Sequence, residues 1–354
     1  MKTLLVTSTE ESTGKTAISI ALAKLAQQRG YSVGYMKPKG TRLESVVGKT
    51  RDQDPMIARE LLDLDAAVHE LEPIVYSPTF VQEAIRGRED PDALRERISE
   101  SFEALSTDRD LMIVEGGGRV STGGIVDLTD GDIADLLGAE VVLTSHYSEP
   151  TDLDDVIAAV SMLGSSLRGV IFNAVENATF DGLTEDAVPF LDGRGVETLG
   201  ALPRDRELAG LSVADLAAGI GAKLLTSDAP TDGIVERFSV GAMGSNAAFE
   251  QFRRTHNAAV ITGGDRSEIQ TAALKASGVE CLVLTGGYQP SSAVIGKAEE
   301  HGVPVLSLQS DTRTSIERVE QTLQSGRTRS PAAIERMCEL LADAVDVDAL
   351  VGEE

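Results

Sequence analysis

Residues 3–16 read Thr-Leu-Leu-Val-Thr-Ser-Thr-Glu-Glu-Ser-Thr-Gly-Lys-Thr and carry the strongest structural signal of the chain. The run at 3–8 predicts a short buried strand, and from Thr16 to Gln28 apolar residues recur at helical spacing. The loop between them ends in Gly14-Lys15-Thr16. At such a junction, backbone N–H groups and the positive end of the helix attract phosphate oxygens. The sequence therefore predicts a phosphate-binding loop.

The residues of this loop have separate expected roles. Lys15 is expected to reach the terminal phosphates, and Thr16 to offer its hydroxyl to Mg²⁺. The usual pattern of such loops opens with glycine, which is missing here. The alternative interpretation is a helix start with a solvated lysine. The predicted nucleotide contacts in the loop are Thr9, Ser12, Thr13, Gly14, Lys15 and Thr16.

Carboxylates and lysines follow other predicted strands. Glu115 ends the apolar run 111–114 directly before three glycines, which would set it beside the loop, and Mg²⁺ prefers such oxygen ligands. Asp52 and Asp54 are candidates for a second carboxylate, with helix N-capping as the alternative. Lys37 could meet the γ-phosphate or an anionic substrate, and Lys39 strengthens that interpretation in a chain with nine lysines. The alternative for Lys37 is an exposed lysine.

Strands and helices alternate along the chain, which predicts an α/β fold with a parallel sheet and helices on both faces. The turn-rich segment 226–233 is the predicted linker, and a second, smaller α/β pattern follows it. We place the domains at 1–222 and 223–327, followed by a C-terminal helix and acidic tail at 328–354. Within that last part, 331–343 predicts an amphipathic helix, and we expect the tail from 346 onward to fray.

Charge and composition exclude several functional classes. The 354 residues carry a net charge of −25, which argues against broad nucleic-acid binding. Residues 1–50 carry +5 within this acidic chain, which indicates an anionic partner at that end. Scarce lysine with abundant acid favours a halophilic archaeal cytosol, with an ordinary acidic protein as the alternative.

Two separate cysteines exclude a disulfide scaffold. Because no apolar run reaches about 18 residues and no signal peptide is evident, we expect a cytoplasmic protein with no membrane partner.

The motifs together resemble dethiobiotin synthetase and the related cobyrinic acid diamide synthetase group. The resemblance covers about residues 1–222 and implies a P-loop NTPase-like domain that binds ATP and Mg²⁺ and activates a carboxylate. It implies Thr16, Asp54 and Glu115 as metal ligands. It also implies that Lys15 and Lys37 are catalytic, stabilising phosphoryl charge, and that Asn173 and Pro203 lie near the adenine. The resemblance rests on Gly14-Lys15-Thr16, Lys37-Pro38, Asp54, Glu115-Gly116-Gly117-Gly118 and the strand ending at Asn173.

Two departures from that family stand out. Ser8 replaces the first loop glycine, and Arg119 follows Gly118 where the synthetases have glycine bordering their substrate. Because Arg119 adds bulk and charge there, we do not expect dethiobiotin synthesis.

The second half resembles a DRTGG domain over about 223–325. A synthetase-like domain followed by a DRTGG domain resembles the N-terminal part of long phosphotransacetylases, in which the acetyl-transferring domain comes afterwards. Since this sequence stops at 354, we expect no acetyltransferase activity. The residues that carry this resemblance are Gly241-Ala242-Met243, the stretch 260–266, Leu284-Thr285-Gly286-Gly287 and Asp311-Thr312.

The expected function is therefore that of an ATP- and Mg²⁺-binding sensor or regulator in acetyl-CoA-related metabolism. The alternative is an ATP-dependent ligase that activates a carboxylate, and ATPase activity is left open. An unknown small metabolite is the expected second ligand. Related synthetase domains pair, so we also expect a homo-oligomer.

Overall fold

The computed structural model describes residues 1–46, 49–326 and 331–352. They form two compact units. The first contains Met1–Arg204 together with the chain from Pro331 onward, and the second begins at Asp205. The described helices include none that is long and apolar enough to cross a bilayer.

The strands are β1 Lys2–Ser8, β2 Val33–Met36, β3 Lys39–Gly40, β4 Leu43–Val46, β5 Lys49–Asp52, β6 Ile74–Val75, β7 Leu111–Glu115, β8 Glu140–Ser145, β9 Leu167–Val175, β10 Thr198–Pro203, β11 Leu211–Ser212, β12 Lys223–Leu224, β13 Ile234–Val235, β14 Arg237–Val240, β15 Ala258–Gly263, β16 Val279–Thr285 and β17 Val305–Ser307.

The α-helices are α1 Lys15–Gln28, α2 Gln53–Leu61, α3 Val68–Leu71, α4 Pro78–Ile85, α5 Pro91–Ser106, α6 Asp130–Leu137, α7 Leu153–Leu163, α8 Asn177–Gly182, α9 Val188–Asp192, α10 Arg206–Ala209, α11 Val213–Ile220, α12 Ser245–Phe252, α13 Ser267–Leu274, α14 Ser292–Glu300, α15 Thr312–Gly326, α16 Pro331–Ala344 and α17 Val347–Val351. A π-helical segment, Leu183–Ala187, joins α8 to α9.

The first unit is built on a six-stranded parallel sheet in the order β10-β9-β8-β1-β7-β2. Side chains of a strand alternate between the two faces of its sheet. Leu5 of β1 accordingly packs in the core that α5, α6 and α7 cover. The buried Leu4 and Val6 point to the opposite face, where α1 contacts β1, β2 and β7. This confirms the predicted parallel sheet with helices on both faces.

The C-terminal helices α16 and α17 belong to the first unit. α16 packs against α1 and β10, and the Cys338 thiol lies 3.7 Å from the backbone oxygen of Ala21. The frayed tail predicted from 346 is wrong for its described part. Val347, Leu350 and Val351 recur at helical spacing, and all three are buried in α17.

The second unit has a five-stranded sheet in the order β12-β17-β16-β15-β14, parallel except for β12. Its cores lie between this sheet and α12–α14 on one side and α11 with α15 on the other. The start of the unit at Asp205 differs from the predicted boundary at 222/223, because the buried face of α11 packs on α15. The predicted linker 226–233 lies inside this unit, where buried Thr226 accepts a hydrogen bond from the Val305 N–H.

Candidate nucleotide-binding site

The phosphate-binding loop connects β1 to α1 at the carboxyl edge of the first sheet. Its backbone turns through left-handed conformations at Ser12 (φ 63°) and Gly14 (φ 90°). A side chain on Gly14 would be strained at this φ, and its Cβ would lie only 2.3 Å from Nδ2 of Asn173. Both the backbone conformation and the space around Gly14 therefore require glycine before Lys15.

Hydroxyl groups tie the loop to the end of the neighbouring strand β8. The Thr9 N–H donates to the Thr144 carbonyl oxygen at 3.2 Å. The Thr13 hydroxyl lies 3.1 Å from that of Thr144, and the Thr9 hydroxyl lies 3.1 Å from that of Ser145. Thr144 and Ser145 were not predicted as part of the site, although polar residues directly after an apolar run are a usable signal.

Lys15 turns back into the site instead of reaching solvent. Its ammonium donates to the Ser8 hydroxyl at 2.7 Å and to the Gly118 carbonyl oxygen. Burial lowers the pKa of Lys15, while Glu115 and Asp130 oppose that change. The alternative of a solvated lysine is therefore wrong, because the side chain is buried between two loops.

Glu115, the last residue of β7, joins the helix start to the second strand. Thr16 donates to Oε1 of Glu115 at 2.8 Å, and Tyr35 donates to Oε2 at 2.7 Å. Burial raises the pKa of Glu115, while Lys37 and these two hydrogen bonds oppose the shift. Thr16 and Glu115 are thus in contact, as a shared metal site would require. The contribution of Tyr35 was not predicted.

Lys37 lies at the centre of a buried ion cluster with Asp52, Asp54 and Glu115. Its Nζ is 2.9 Å from Asp52 Oδ2 and 3.5 Å from Glu115 Oε1, and it also donates to Asp54. Burial disfavours the charged lysine, but Asp54, Asp52 and Glu115 outweigh burial and raise its pKa. For Asp54 the lysine and Arg42 outweigh burial and lower the pKa. The alternative of an exposed Lys37 is wrong.

Asp52 and Asp54, considered above as metal ligands or as N-caps, have different surroundings. Asp52 is the N-cap of α2 and accepts from the Asp54 N–H at 2.8 Å. Asp54 lies in the first turn of the helix, and its carboxylate meets Lys37 and Arg42. Asp52 thus caps α2 and also contacts Lys37, while the Asp54 carboxylate belongs to the ion cluster without a capping role.

The predicted magnesium ligands fit Mg²⁺ in chemistry, since Thr16, Asp54 and Glu115 offer hard oxygen donors. The Lys37 ammonium contacts both carboxylates and offsets part of their negative charge. Throughout 1–46, 49–326 and 331–352, no group of three or more His, Cys, Asp or Glu is arranged to hold a metal ion.

Lys39 has a different environment from the one expected for a ligand-binding lysine. Its ammonium is fully buried and donates to the Thr122 oxygen at 2.6 Å, to the Leu128 oxygen and to Asp130 at 3.0 Å. The Cβ of an alanine at Gly117 would lie 2.6 Å from the Lys39 oxygen. Lys39 therefore stabilises the glycine-rich loop that follows Glu115 through hydrogen bonds and close packing.

The predicted adenine contacts lie on neighbouring strands. Asn173 of β9 donates to the Thr13 carbonyl oxygen at 2.8 Å, so it is joined directly to the phosphate-binding loop. Pro203 ends β10, one strand further along the sheet, in register with Val175. Arg119 is exposed beside the glycine loop, and its N–H donates to the Thr122 hydroxyl at 3.1 Å.

Comparison with protein families matches the AAA domain to residues 2–212, which is more than half of the chain. The chain belongs to the AAA domain family. A DRTGG domain follows it at residues 215–322. The resemblance to a dethiobiotin synthetase-like P-loop domain followed by a DRTGG domain is thereby confirmed.

Relatives of known name match one or both domains. The phosphate acetyltransferase of Haemophilus influenzae is 25% identical over 347 residues, covering 88% of this chain and 47% of that protein. The ATP-dependent dethiobiotin synthetase BioD of Methanocaldococcus jannaschii is 28% identical over 179 residues, covering 49% of this chain and 79% of that protein. The solved MinD cell division protein of Aquifex aeolicus is 16% identical over 59% of this chain and 84% of that chain, with a TM-score of 0.35. The chain spans about half the length of the phosphate acetyltransferases that it matches.

Proposed function

We propose that the AAA domain binds ATP with Mg²⁺. The observation that carries the proposal is the strand–loop–helix junction that brings Lys15, Thr16 and Glu115 together. In this proposal Lys15 and the N-terminus of α1 bind the phosphates, while Asn173 and Pro203 line the side of the adenine. Thr16, Asp54 and Glu115 would hold Mg²⁺, which would neutralise phosphate charge.

Calorimetric titration with ATP, with and without Mg²⁺, tests this proposal. We expect binding by the wild type and a loss of at least about tenfold in Lys15→Ala, because hydrogen bonds to charged groups are worth about 1.5–3 kcal/mol. Lys275→Ala is the matched control, since Lys275 is an exposed lysine of the DRTGG domain. Equal affinity in the wild type and Lys15→Ala would refute a phosphate role for this loop.

We further propose a sensory or regulatory role in acetyl-CoA-related metabolism, without acetyl transfer. The matches to phosphate acetyltransferases over both domains support the metabolic assignment. In this proposal the DRTGG domain binds a small metabolite or a protein partner, and the chain forms a homo-oligomer in the cytoplasm. Acetyl transfer between acetyl phosphate and coenzyme A, assayed with the purified chain, should stay at background. Turnover above background would contradict this part of the proposal.

A ligase that activates a carboxylate is the second candidate. It is favoured by the similarity to BioD and by the burial of Lys15, Lys37 and Glu115 in one site. Such an enzyme would phosphorylate a carboxylate, with the two lysines stabilising phosphoryl charge. ADP release that depends on an added carboxylic acid and disappears in Lys15→Ala would favour the ligase over the sensor.

A further inference from the structure

Ser8 stands at the start of the phosphate-binding loop and carries a side chain that contacts the loop lysine. It ends β1, and it is fully buried. Its hydroxyl oxygen lies 2.6 Å from the Glu10 carbonyl oxygen and 2.7 Å from Nζ of Lys15. The Gly118 carbonyl oxygen lies 3.2 Å from the same hydroxyl. Because a carbonyl oxygen only accepts, the hydroxyl proton is directed to Glu10, the shorter contact, or to Gly118, and in either case the Ser8 oxygen accepts from the ammonium.

The second acceptor of Lys15 belongs to another loop. The Gly118 carbonyl oxygen also receives an ammonium proton of Lys15. The loop that carries Gly118 is held in turn, since the Val120 N–H donates to the Ser8 carbonyl oxygen at 2.8 Å. Two of the three ammonium protons are thus directed to acceptors within the protein, where burial strengthens hydrogen bonds.

We propose that Ser8 is a positioning residue that holds Lys15 against the base of the loop and lowers the affinity of the site for nucleotide phosphates. This inference rests on the proposed nucleotide binding. A bond that exists before binding and is given up on binding reduces affinity by its own free energy. Loops of this kind usually open with glycine, which has no side-chain acceptor for the lysine.

The ligand affected by Ser8 follows from the reach of Lys15. In phosphate-binding loops this lysine reaches the β- and γ-phosphates. Removal of the Ser8 hydroxyl should therefore tighten the binding of ATP and ADP. Binding of AMP, which has neither phosphate, should be unchanged.

Calorimetry on Ser8→Ala, Ser8→Gly and Ser8→Thr tests the proposal. We expect Ser8→Ala and Ser8→Gly to bind ATP about tenfold more tightly, as expected when a hydrogen bond to a charged group is released. Ser8→Thr keeps the hydroxyl and should bind as the wild type does. Ser161→Ala is the matched control, because the Ser161 hydroxyl bonds to the Ile157 oxygen on an exposed part of α7. Unchanged or weaker ATP binding by both Ser8→Ala and Ser8→Gly, in a wild type that binds ATP, overturns the proposal.

Labelling of Lys15 with an amine-acylating reagent provides a second readout that needs no nucleotide. Loss of the Ser8 hydroxyl should increase the labelling rate of Lys15 severalfold, measured by peptide mass spectrometry, and leave Lys275 unchanged. A merely structural role of Ser8 would not raise the reactivity of one lysine. If neither the wild type nor any Ser8 variant binds ATP, the proposed nucleotide function fails. Labelling then decides whether Ser8 holds Lys15, and an unchanged rate overturns that as well.

Discussion

At the scale of single residues, Tyr35 stabilises the ionised form of Glu115. Tyr35→Phe removes the donor to Oε2 and should lower the free energy of unfolding by about 1–2 kcal/mol at neutral pH. Burial already raises the pKa of Glu115 in the wild type, and without the Tyr35 hydrogen bond this pKa should rise further. In the folded variant Glu115 should therefore be protonated at a higher pH than in the wild type. The loss should therefore shrink as the pH falls toward the ordinary carboxyl pKa.

Urea unfolding of Tyr35→Phe followed by far-ultraviolet circular dichroism at several pH values measures this effect. Tyr288→Phe is the control, because the Tyr288 side chain is exposed. A loss in Tyr35→Phe that does not vary with pH would show that the hydroxyl does not support the charge of Glu115.

The substitution Lys37→Met tests how much the lysine ammonium stabilises the buried ion cluster. It leaves three buried carboxylates, Asp52, Asp54 and Glu115, without their ammonium, so we expect a loss of about 3–5 kcal/mol in the free energy of unfolding at neutral pH. In the wild type the pKa of Asp54 is lowered, so its contribution is present at neutral pH and is lost in acid. Lys37 lowers the pKa of both Asp54 and Glu115, so in the variant these two pKa values should be higher and stability should recover as the pH falls.

Denaturant midpoints between about pH 4.5 and pH 8 distinguish the two proteins. Lys275→Met should resemble the wild type throughout. If Mg²⁺ binds these carboxylates, millimolar Mg²⁺ should stabilise Lys37→Met more than the wild type. A variant as stable as the wild type at neutral pH would show that the ammonium is dispensable.

Residues of the site that lie close in sequence could be predicted, and so could the placement of Glu115 beside the loop, where Thr16 donates to it. Most of the other side-chain contacts between distant residues could not. Gly14-Lys15-Thr16 follows from one strand–loop–helix pattern. The hydrogen bonds from Lys15 to Gly118 and from Tyr35 to Glu115 join residues far apart in the chain. They depend on the conformation of the loops at the carboxyl edge of the sheet. The same holds for Lys39, whose partners lie in the loop from Thr122 to Asp130. A strand-end lysine alone does not show whether it faces a ligand or a carbonyl.

At the scale of elements, the C-terminal helix α16 supports the helix that carries the phosphate-binding loop. Leu341 of α16 is fully buried, and α16 packs on α1 and β10. Leu341→Ala should cost about 2–5 kcal/mol, as expected for a large buried side chain cut back to alanine. The increase in amide hydrogen exchange should appear in α1 and β10, and β15 and β16 of the other unit should keep their protection.

Hydrogen exchange with mass spectrometry resolves these peptides, and Leu224→Ala is the control, since Leu224 is an exposed leucine. Equal loss of protection in both units would contradict the assignment of α16 to the first unit. No loss in α1 would show that α16 does not stabilise the loop helix.

Helices and strands with a clear pattern of apolar residues could be predicted from the sequence, and those with a weak apolar pattern could not. β1, α1 and β7 match the predicted segments closely because each is a continuous apolar run or a regular helical pattern. The hairpin of β4 and β5 was missed because polar and charged residues dominate it. The position of α11 in the second unit depends on the element that covers its apolar face, and that partner, α15, lies about a hundred residues later.

At the scale of the whole molecule, charge is unevenly distributed. The chain has a net charge of −25, yet residues 1–50 carry +5, so repulsion arises from the remaining residues. Self-repulsion destabilises a compact state, and salt screens it over a Debye length of about 3 Å at 1 M. Raising potassium chloride from about 0.1 M to about 2 M should therefore raise the thermal midpoint by about 5–10 °C. The halophilic interpretation of the composition depends on this outcome.

The pH dependence of the salt effect separates charge screening from other actions of salt. The sequence pI is about 4.5, so the net charge approaches zero near that pH. If repulsion among acidic residues causes the stabilisation, the same salt step should raise the midpoint much less near pH 4.5 than at pH 7. Added salt should lower the affinity for ATP while it raises the thermal midpoint. The loop and Lys37 lie in the positive segment 1–50, and salt weakens their attraction for phosphate. A midpoint that falls with salt at pH 7 would refute the halophilic interpretation and leave the chain an ordinary acidic protein.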